Sequence, residues 1–314
     1  MALTANDVDR FEASRPRLEA IAYRLLGSAG EAEDAVQETF LRWQAAEVDR
    51  IEVPEAWLTK ALTNLCLNQL TSARARRETY VGQWLPEPLL AGDPMLGPAE
   101  TVEQRESVSY AVLTLMERLT PSERAVYVLR AAFDYPHREI AEILDITEAA
   151  SQQIFHRAGK HVAGGKARAE VPAAAARRIV EEFLAAATSG ETGSLVRLLT
   201  EDTVAIGDGG GKVPAGVKPF QGAAAVARLV WGLFRPGKAK RTLVGGAPGV
   251  YAGVANGGPA VLAVLDGRVI GVMCLEVTAG GIAAVRSQVN PDKLERATAR
   301  WAATDHGEPL FNAF

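Results

Sequence analysis

Between Glu148 and Val162 the chain sets out Ser151, Gln152, Gln153, His156, Arg157 and Lys160. Helical spacing leaves all six outside when Ala150, Ile154, Ala158 and Val162 turn inward with Phe155 beside them. The order is amides and a hydroxyl first, cations last. That order suits a helix entering a DNA major groove, where hydrogen-bonding side chains read base edges and cations hold phosphates. A second helix must position it. Pro136–Leu144 provides one, with Ile140, Ile143 and Leu144 on its inner face, and Asp145-Ile146-Thr147 breaks the pattern. Thr147 then serves as N-cap of the polar helix. An antiparallel helix pair with a plain polar solvent face fits the same residues, and this stretch alone does not choose.

A second place for phosphate chemistry lies upstream. From Leu58 to Arg77 there is no acidic residue, while Lys60, Arg74, Arg76 and Arg77 give a local charge of +4. Cations so grouped bind phosphate. They ride on a helix opened by Pro54, with Trp57, Leu58, Ala61, Leu62, Leu65 and Leu70 as its buried stripe and Asn64 and Asn68 on its polar side. Before it, Leu18, Ile21, Ala22, Leu25 and Leu26 form an amphipathic helix ending at Gly27. Ser28-Ala-Gly-Glu31 then has the form of a capping box. The helix it opens buries Ala35, Val36, Phe40 and Trp43. Its outer side carries Glu31, Glu33, Asp34, Gln37, Glu38 and Arg42, which read at face value as a solvated acidic surface. Further on, helices resume at about Thr101–Leu119, with Val108, Val112, Leu115, Met116 and Leu119 inside. Thr120-Pro-Ser-Glu123 combines N-cap, N1 proline and N3 glutamate at the start of the next.

The chain has 314 residues, 48% of them hydrophobic and 23% charged, which is enough for two or three cored domains. No apolar run reaches 18 residues, so no membrane partner is expected. Asp7, Asp9 and Glu12 come too early for a signal peptide, and the cytoplasm is the expected compartment. Cys66 and Cys274 each sit in an apolar pattern and read as buried free thiols. No metal and no cofactor is called for. The net charge of −4 hides a division: residues 1–170 carry 19 basic against 26 acidic residues, and 171–314 carry 15 against 12. A net-negative DNA-binding half makes sense if its acidic face meets a protein partner.

Tyr80–Ala99 holds Pro86, Pro88, Pro94 and Pro98, which exclude helix and central strand. It also holds Trp84, Leu85, Leu89 and Leu90. A free tether would not expose these, so Trp84-Leu-Pro-Glu-Pro-Leu89 should dock on another surface. Gly164–Ala176 reads as a helix extension or hinge. Beyond it come helices at Ile179–Ala187, Leu195–Leu199 and Ala223–Phe234. Strand-like runs follow at Arg241–Val244, Val250–Val254, Ala260–Leu265, Val269–Val277 and Ile282–Val289, with a hairpin turn at Leu265-Asp-Gly-Arg268. Helices followed by a curled antiparallel sheet make an α+β cone. A last helix is expected from near Pro291 to Ala302, with a mobile tail after Thr304.

Taken in sequence, the first half resembles the extracytoplasmic-function (ECF) sigma factors of bacterial RNA polymerase. Glu33-Asp-Ala-Val-Gln-Glu-Thr-Phe-Leu-Arg42 is similar to their region 2.2, and Ala56–Asn68 to regions 2.3 and 2.4. Leu119–Arg130 and the following helix pair are similar to region 4, and nothing resembles region 3. Trp84–Leu89, Asp208-Gly-Gly-Gly-Lys212 and Asn290-Pro-Asp-Lys-Leu294 are similar to three signatures of a branch with a fused C-terminal SnoaL-like domain. Asn68 and Thr71 depart from that branch, which usually has Asp and Arg there. The implied division is a region 2 domain at 1–80, a linker at 81–100 and a region 4 helix-turn-helix domain at 101–163. A hinge at 164–176, a SnoaL-like domain at 177–303 and a tail at 304–314 complete it. Two all-α sigma domains thus precede one α+β domain.

The resemblance implies that Asp34, Gln37 and Glu38 bind the β′ clamp helices of core RNA polymerase, with the β flap as a further contact. Lys60, Asn64, Arg74, Arg76 and Arg77 face the promoter −10 element. Ser151, Gln152, Gln153, Arg157 and Lys160 face the −35 element. Trp84, Leu85, Pro86, Glu87 and Pro88, with Asp208, Gly209, Gly210, Gly211, Lys212, Asn290, Pro291, Asp292, Lys293 and Leu294, are implied to join the C-terminal domain to the sigma part as a built-in regulator. A catalytic cyclase or hydrolase, or a small-ligand sensor, is the alternative for that domain. It is the weaker of the two, since all four histidines lie outside residues 172–303 and its acids Asp208 and Glu276 have plain structural explanations. No enzyme activity is therefore expected.

Overall fold

The computed structural model describes residues 4–78, 80–163, 173–216 and 218–313, with side chains for all of these except 73–78, 163, 173 and 174. The chain packs as two compact units interleaved in sequence. One takes Met1–Thr79 with Gly92–Lys166; the other takes Tyr80–Ala91 with Ala167–Phe314. The stretch expected to be a single linker thus divides after Ala91. Most of the expected hinge lies outside the described residues.

The first unit is all helical. α1 (Ala5–Leu26) starts at a reciprocal capping box between Thr4 and Asp7 and stops at Gly27, φ 70°. α2 (Ala29–Ala45) is capped by Ser28, whose Oγ accepts from Glu31 N at 3.2 Å. α3 (Pro54–Glu78) follows. Phe11, Leu18, Ile21, Val36, Trp43, Leu58 and Leu62 are fully buried, and Trp43 Nε1 donates to Asp7 O at 3.1 Å. The expected helical stretch Thr101–Leu119 holds α4 (Val102–Ser107) and α5 (Tyr110–Met116). Ser109 causes the break: its Oγ accepts from Val112 N at 3.3 Å, so it acts as an N-cap inside the apolar pattern. α6 (Pro121–Phe133) begins with the full Thr120–Glu123 capping box. α7 (His137–Leu144) and α8 (Glu148–Ala163) form the expected pair. Asp145 at φ 53° turns between them, and Thr147 Oγ1 accepts from Ala150 N at 3.1 Å.

A fully buried guanidinium ties the early helices to the later ones. Arg24 donates Nε to Ser107 Oγ at 2.9 Å and Nη2 to Leu96 O at 2.7 Å, and lies 5.2 Å from the Phe133 ring centroid. Burial pulls its pKa down to about 10.

The second unit is α+β. α9 (Ala173–Thr188) and α10 (Thr192–Leu198) lead into β1 (Leu199–Asp208). After β2 (Phe220–Gln221), α11 (Ala223–Phe234) and α12 (Lys238–Val244) come β3 (Gly249–Ala255), β4 (Gly258–Leu265), β5 (Arg268–Thr278) and β6 (Gly281–Gln288). A 3-10 turn at Pro291–Lys293, α13 (Glu295–Ala302) and β7 (Phe311–Asn312) end the chain. The sheet order is β2-β1-β6-β5-β4-β3-β7, with β1 and β6 parallel and the other pairs antiparallel. Register shifts in β1, β4 and β5 supply the bends that curl it. Phe183 and Leu184 of α9 and Val226 and Val230 of α11 pack with Val250, Val261, Leu275 and Val285 of the sheet.

Three expectations are corrected. Arg241–Val244 is the end of α12, not a strand; Gly245 at φ 86° gives the helix its C-cap, and Lys240 Nζ donates to carbonyls of Gly232 and Arg235 at the end of α11. The last helix starts at Glu295, after the 3-10 turn that Pro291 opens. The tail is ordered: β7 pairs with β3, and Leu310 N donates to Val250 O at 2.8 Å.

Candidate functional site

In the second unit the three separated signatures meet around one carboxylate. β1 ends at Asp208, which is fully buried. Its Oδ1 accepts from Tyr80 Oη at 2.6 Å and Gly210 N at 3.0 Å; its Oδ2 accepts from Leu85 N at 2.9 Å, Lys293 Nζ at 2.8 Å and Gln288 Nε2 at 3.2 Å. Desolvation alone would raise the carboxyl pKa. The Lys293 ammonium, with bonds from Lys293, Tyr80 and Leu85, outweighs it and holds the group below its ordinary value. Burial, then the bond to Asp208, pushes the Tyr80 phenol up. Lys293 also donates to Leu85 O at 2.7 Å, and its Nζ lies 4.2 Å from the Trp84 ring centroid and 4.9 Å from that of Tyr80.

The triple glycine is a geometric requirement of this seat. A Cβ at Gly209 would collide with the Val213 carbonyl oxygen, and one at Gly210, φ 59°, would collide with the Asn290 amide. That amide donates Nδ2 to Tyr80 Oη at 3.0 Å, while Asn290 Oδ1 accepts from Asp292 N. Lys212 Nζ meets both Asp292 oxygens at 2.7 Å. Pro291 opens the turn and Leu294 is buried at its end. Leu85, Pro86 and Pro88 are buried; Trp84 and Glu87 are half-buried. Further along, Leu89 N donates to Asn256 Oδ1 at 3.0 Å, Ala91 N donates to Val254 O, and Arg300 Nε donates to Ala91 O at 3.2 Å. Residues 89–91 thus lie along the edge of β3. Glu276 is ion-paired with Arg286.

In the first unit Asp34, Gln37 and Glu38 are exposed on one side of α2, and Gln152, Gln153, Arg157 and Lys160 are exposed on α8. Arg157 Nε stands 3.8 Å from Glu123. Ser151 is a correction: it is fully buried, with its Oγ 2.9 Å from His137 Nδ1, so it faces α7 and not the groove side. Asn64 is half-buried and Asn68 exposed. Lys60 is half-buried and engaged, with Nζ 2.7 Å from both Glu142 O and Asp145 Oδ1. The side chains of Arg74, Arg76 and Arg77 lie outside the described residues. Cys66 and Cys274 are free and buried. Among the described residues no three His, Cys, Asp or Glu side chains group as metal ligands, and no helix is long and apolar enough to cross a membrane.

Residues 10–76 match the family model for sigma-70 region 2, and residues 109–162 match that for sigma-70 region 4. The ECF RNA polymerase sigma factor SigJ of Mycobacterium tuberculosis is 36% identical over 91% of this chain and 93% of its own length. This chain is an ECF sigma factor. A probable ECF sigma factor SigI of the same organism is 31% identical over the same shares. The crystal structure of the M. tuberculosis SigJ is similar to this sigma factor with a TM-score of 0.69 and 34% identity, covering 91% of this chain and 97% of that one.

Within the sigma factor, sequence reasoning missed Tyr80, Gln288 and Asn256. Asn256-Gly257 was legible as a two-residue turn between β3 and β4, and both residues have positive φ. Gln288 ends a strand two residues before a signature and is fully buried, but Arg286 and Ser287 beside it make the end of the strand polar, so it carries little signal of its own. Tyr80 opens the proline-rich stretch and carries no comparable signal.

Proposed function

We propose that this sigma factor brings core RNA polymerase to its promoters through the two helical regions, and that the C-terminal α+β part regulates it by holding the linker. The observation that carries the regulatory reading is the Asp208 seat, where one buried carboxylate collects donors from the linker, the glycine turn and the Asn290–Leu294 turn. Such a seat orders residues 80–91, which lie between the region 2 and region 4 helices in sequence. For polymerase contact, the exposed acidic side of α2, with Asp34, Gln37 and Glu38, suits the β′ clamp helices, with region 4 toward the β flap. For DNA, Gln152 and Gln153 suit base edges at −35, and Arg157 and Lys160 suit phosphates. Lys60, Asn64 and the three arginines at 74, 76 and 77 are assigned to the −10 element. Chain segments 1–80, 101–163 and 177–303 are the corresponding domains, and the cytoplasm is the compartment.

Reconstituted transcription tests this. Purified core polymerase should initiate from a cognate promoter only with the chain added, and a version ending at residue 163 should differ from the full chain in yield. No binding to core would overturn the sigma reading. Equal yields from both versions would overturn the regulatory one.

A further inference from the structure

Lys60 carries a double engagement that its place in the −10 assignment does not account for. Its ammonium meets the Asp145 carboxylate and the Glu142 carbonyl, each at 2.7 Å. Both acceptors belong to the C-terminal end of α7, where unpaired carbonyls leave a partial negative charge. A carboxylate oxygen and a carbonyl oxygen at hydrogen-bond distance present the amine with what a nucleic-acid phosphate would present. Asp145 does this from a left-handed conformation, φ 53°, that sets its side chain at the turn between the two helices of the pair.

The pair lies at the solvent edge of a seam whose neighbours Thr59 and Phe133 are buried. One residue earlier, Thr59 Oγ1 lies 3.0 Å from Tyr135 Oη. The Arg17 guanidinium sits 4.9 Å from the Tyr135 ring centroid and 5.7 Å from that of Phe133. The Lys60 side chain is 40% exposed and that of Asp145 77% exposed, so water and salt reach the pair. An exposed contact of this kind is weak enough to be exchanged for another anion.

We infer that Asp145 and the end of α7 act as an internal stand-in for DNA phosphate, latching region 4 onto region 2 through Lys60 until promoter DNA takes the same amine. One ammonium cannot serve both, so the contact with Asp145 and the −10 contact exclude each other. The inference rests on the assignment of Lys60 to the −10 element. It predicts that weakening the latch strengthens promoter binding, and that the gain passes through Lys60.

The test uses the full chain with purified core polymerase and a fork-junction DNA carrying a −10 element but no −35 element. Asp145→Asn keeps a residue tolerant of the left-handed turn and removes the charge. It should raise apparent affinity by about two- to fivefold, the range an exposed ion pair supports, and the gain should shrink as salt rises. In a Lys60→Ala background the same change should give no gain. Glu142→Gln removes an equal charge from the same end of α7 without touching the amine, and should give less than Asp145→Asn. An equal gain with and without Lys60, or an equal gain from Glu142→Gln, overturns the latch. Comparing Lys60→Ala/Asp145→Asn with Asp145→Asn alone isolates the DNA contact: no loss there overturns the −10 assignment and with it the exchange of the amine, whereas a loss there with equal gains in the first comparison overturns the latch alone.

Discussion

Replacing Asp208 with Asn should release the linker while leaving the rest of the α+β unit folded. The carboxylate spreads five donors over two oxygens, three on Oδ2 and two on Oδ1. An amide keeps one oxygen and puts an NH2 group where the other stood, so at least two donors then face a donor. The charge paired with Lys293 is lost as well. Removing one partner of a buried pair costs about 3–5 kcal/mol. Lys293 is 11% exposed and keeps Leu85 O and two aromatic faces, which places the cost at the lower end, about 3 kcal/mol. Opening of residues 80–91 then rises about a hundredfold, at 1.4 kcal/mol per factor of ten. Amide hydrogen exchange reads this directly. The Leu85 amide donates to Asp208 itself, whereas the Leu89 amide donates to Asn256 and reports release of the segment as a whole. Both should lose about two orders of magnitude of protection, with central amides of β5 unchanged. Unchanged protection at Leu89, or an equal fall throughout the sheet, would refute the reasoning.

The same seat has a pH signature. Asp208 is held below its ordinary pKa of 3.8, so its contribution is complete above that pH and is lost as pH falls through the lower folded value. Leu85 exchange, corrected for intrinsic rate, should be flat from neutral pH to about pH 5 and should rise only in stronger acid. Ser151→Ala should cost about 1 kcal/mol of thermal or denaturant stability through the lost bond to His137, and should leave −35 base preference unchanged in a binding-site selection. Arg157→Ala should weaken DNA binding across unrelated sequences and flatten its salt dependence, while Gln152→Ala should shift −35 preference; equal effects of both would undo the separation of roles.

What could be read from the residues was whatever local chemistry decides. Thr120-Pro-Ser-Glu123 sets its helix start by its own hydrogen bonds, and the helix pair at 137–163 follows from apolar spacing and a threonine cap. Helical order and the α+β character of the C-terminal part were legible in the same way, whereas the signatures around Asp208 stood out only through the family resemblance. Tertiary partners decide the rest. Ser151 lies at a position that period alone puts at the margin of the polar side, and His137 on the neighbouring helix draws it in. Thr242 and Val244 favour a strand, yet Gly245 and the carbonyls that Lys240 reaches favour a helix. Phe311 lies in a polar tail and becomes a strand because the edge of β3 offers it a ladder. The engagement of Lys60 with Asp145 spans 85 residues and has no local trace.

The interleaving of the two units has a consequence for the order of events during synthesis. Leu85 leaves the ribosome 123 residues ahead of Asp208, and 208 residues ahead of Lys293. Loop closure over such separations adds an entropic cost and slows assembly. The nascent polypeptide therefore completes every helix of regions 2 and 4 before any anchor for the preceding proline-rich stretch exists. Restraint of this stretch is acquired only once Lys293 has been translated, and any product that stops short of it arrives without the complete seat.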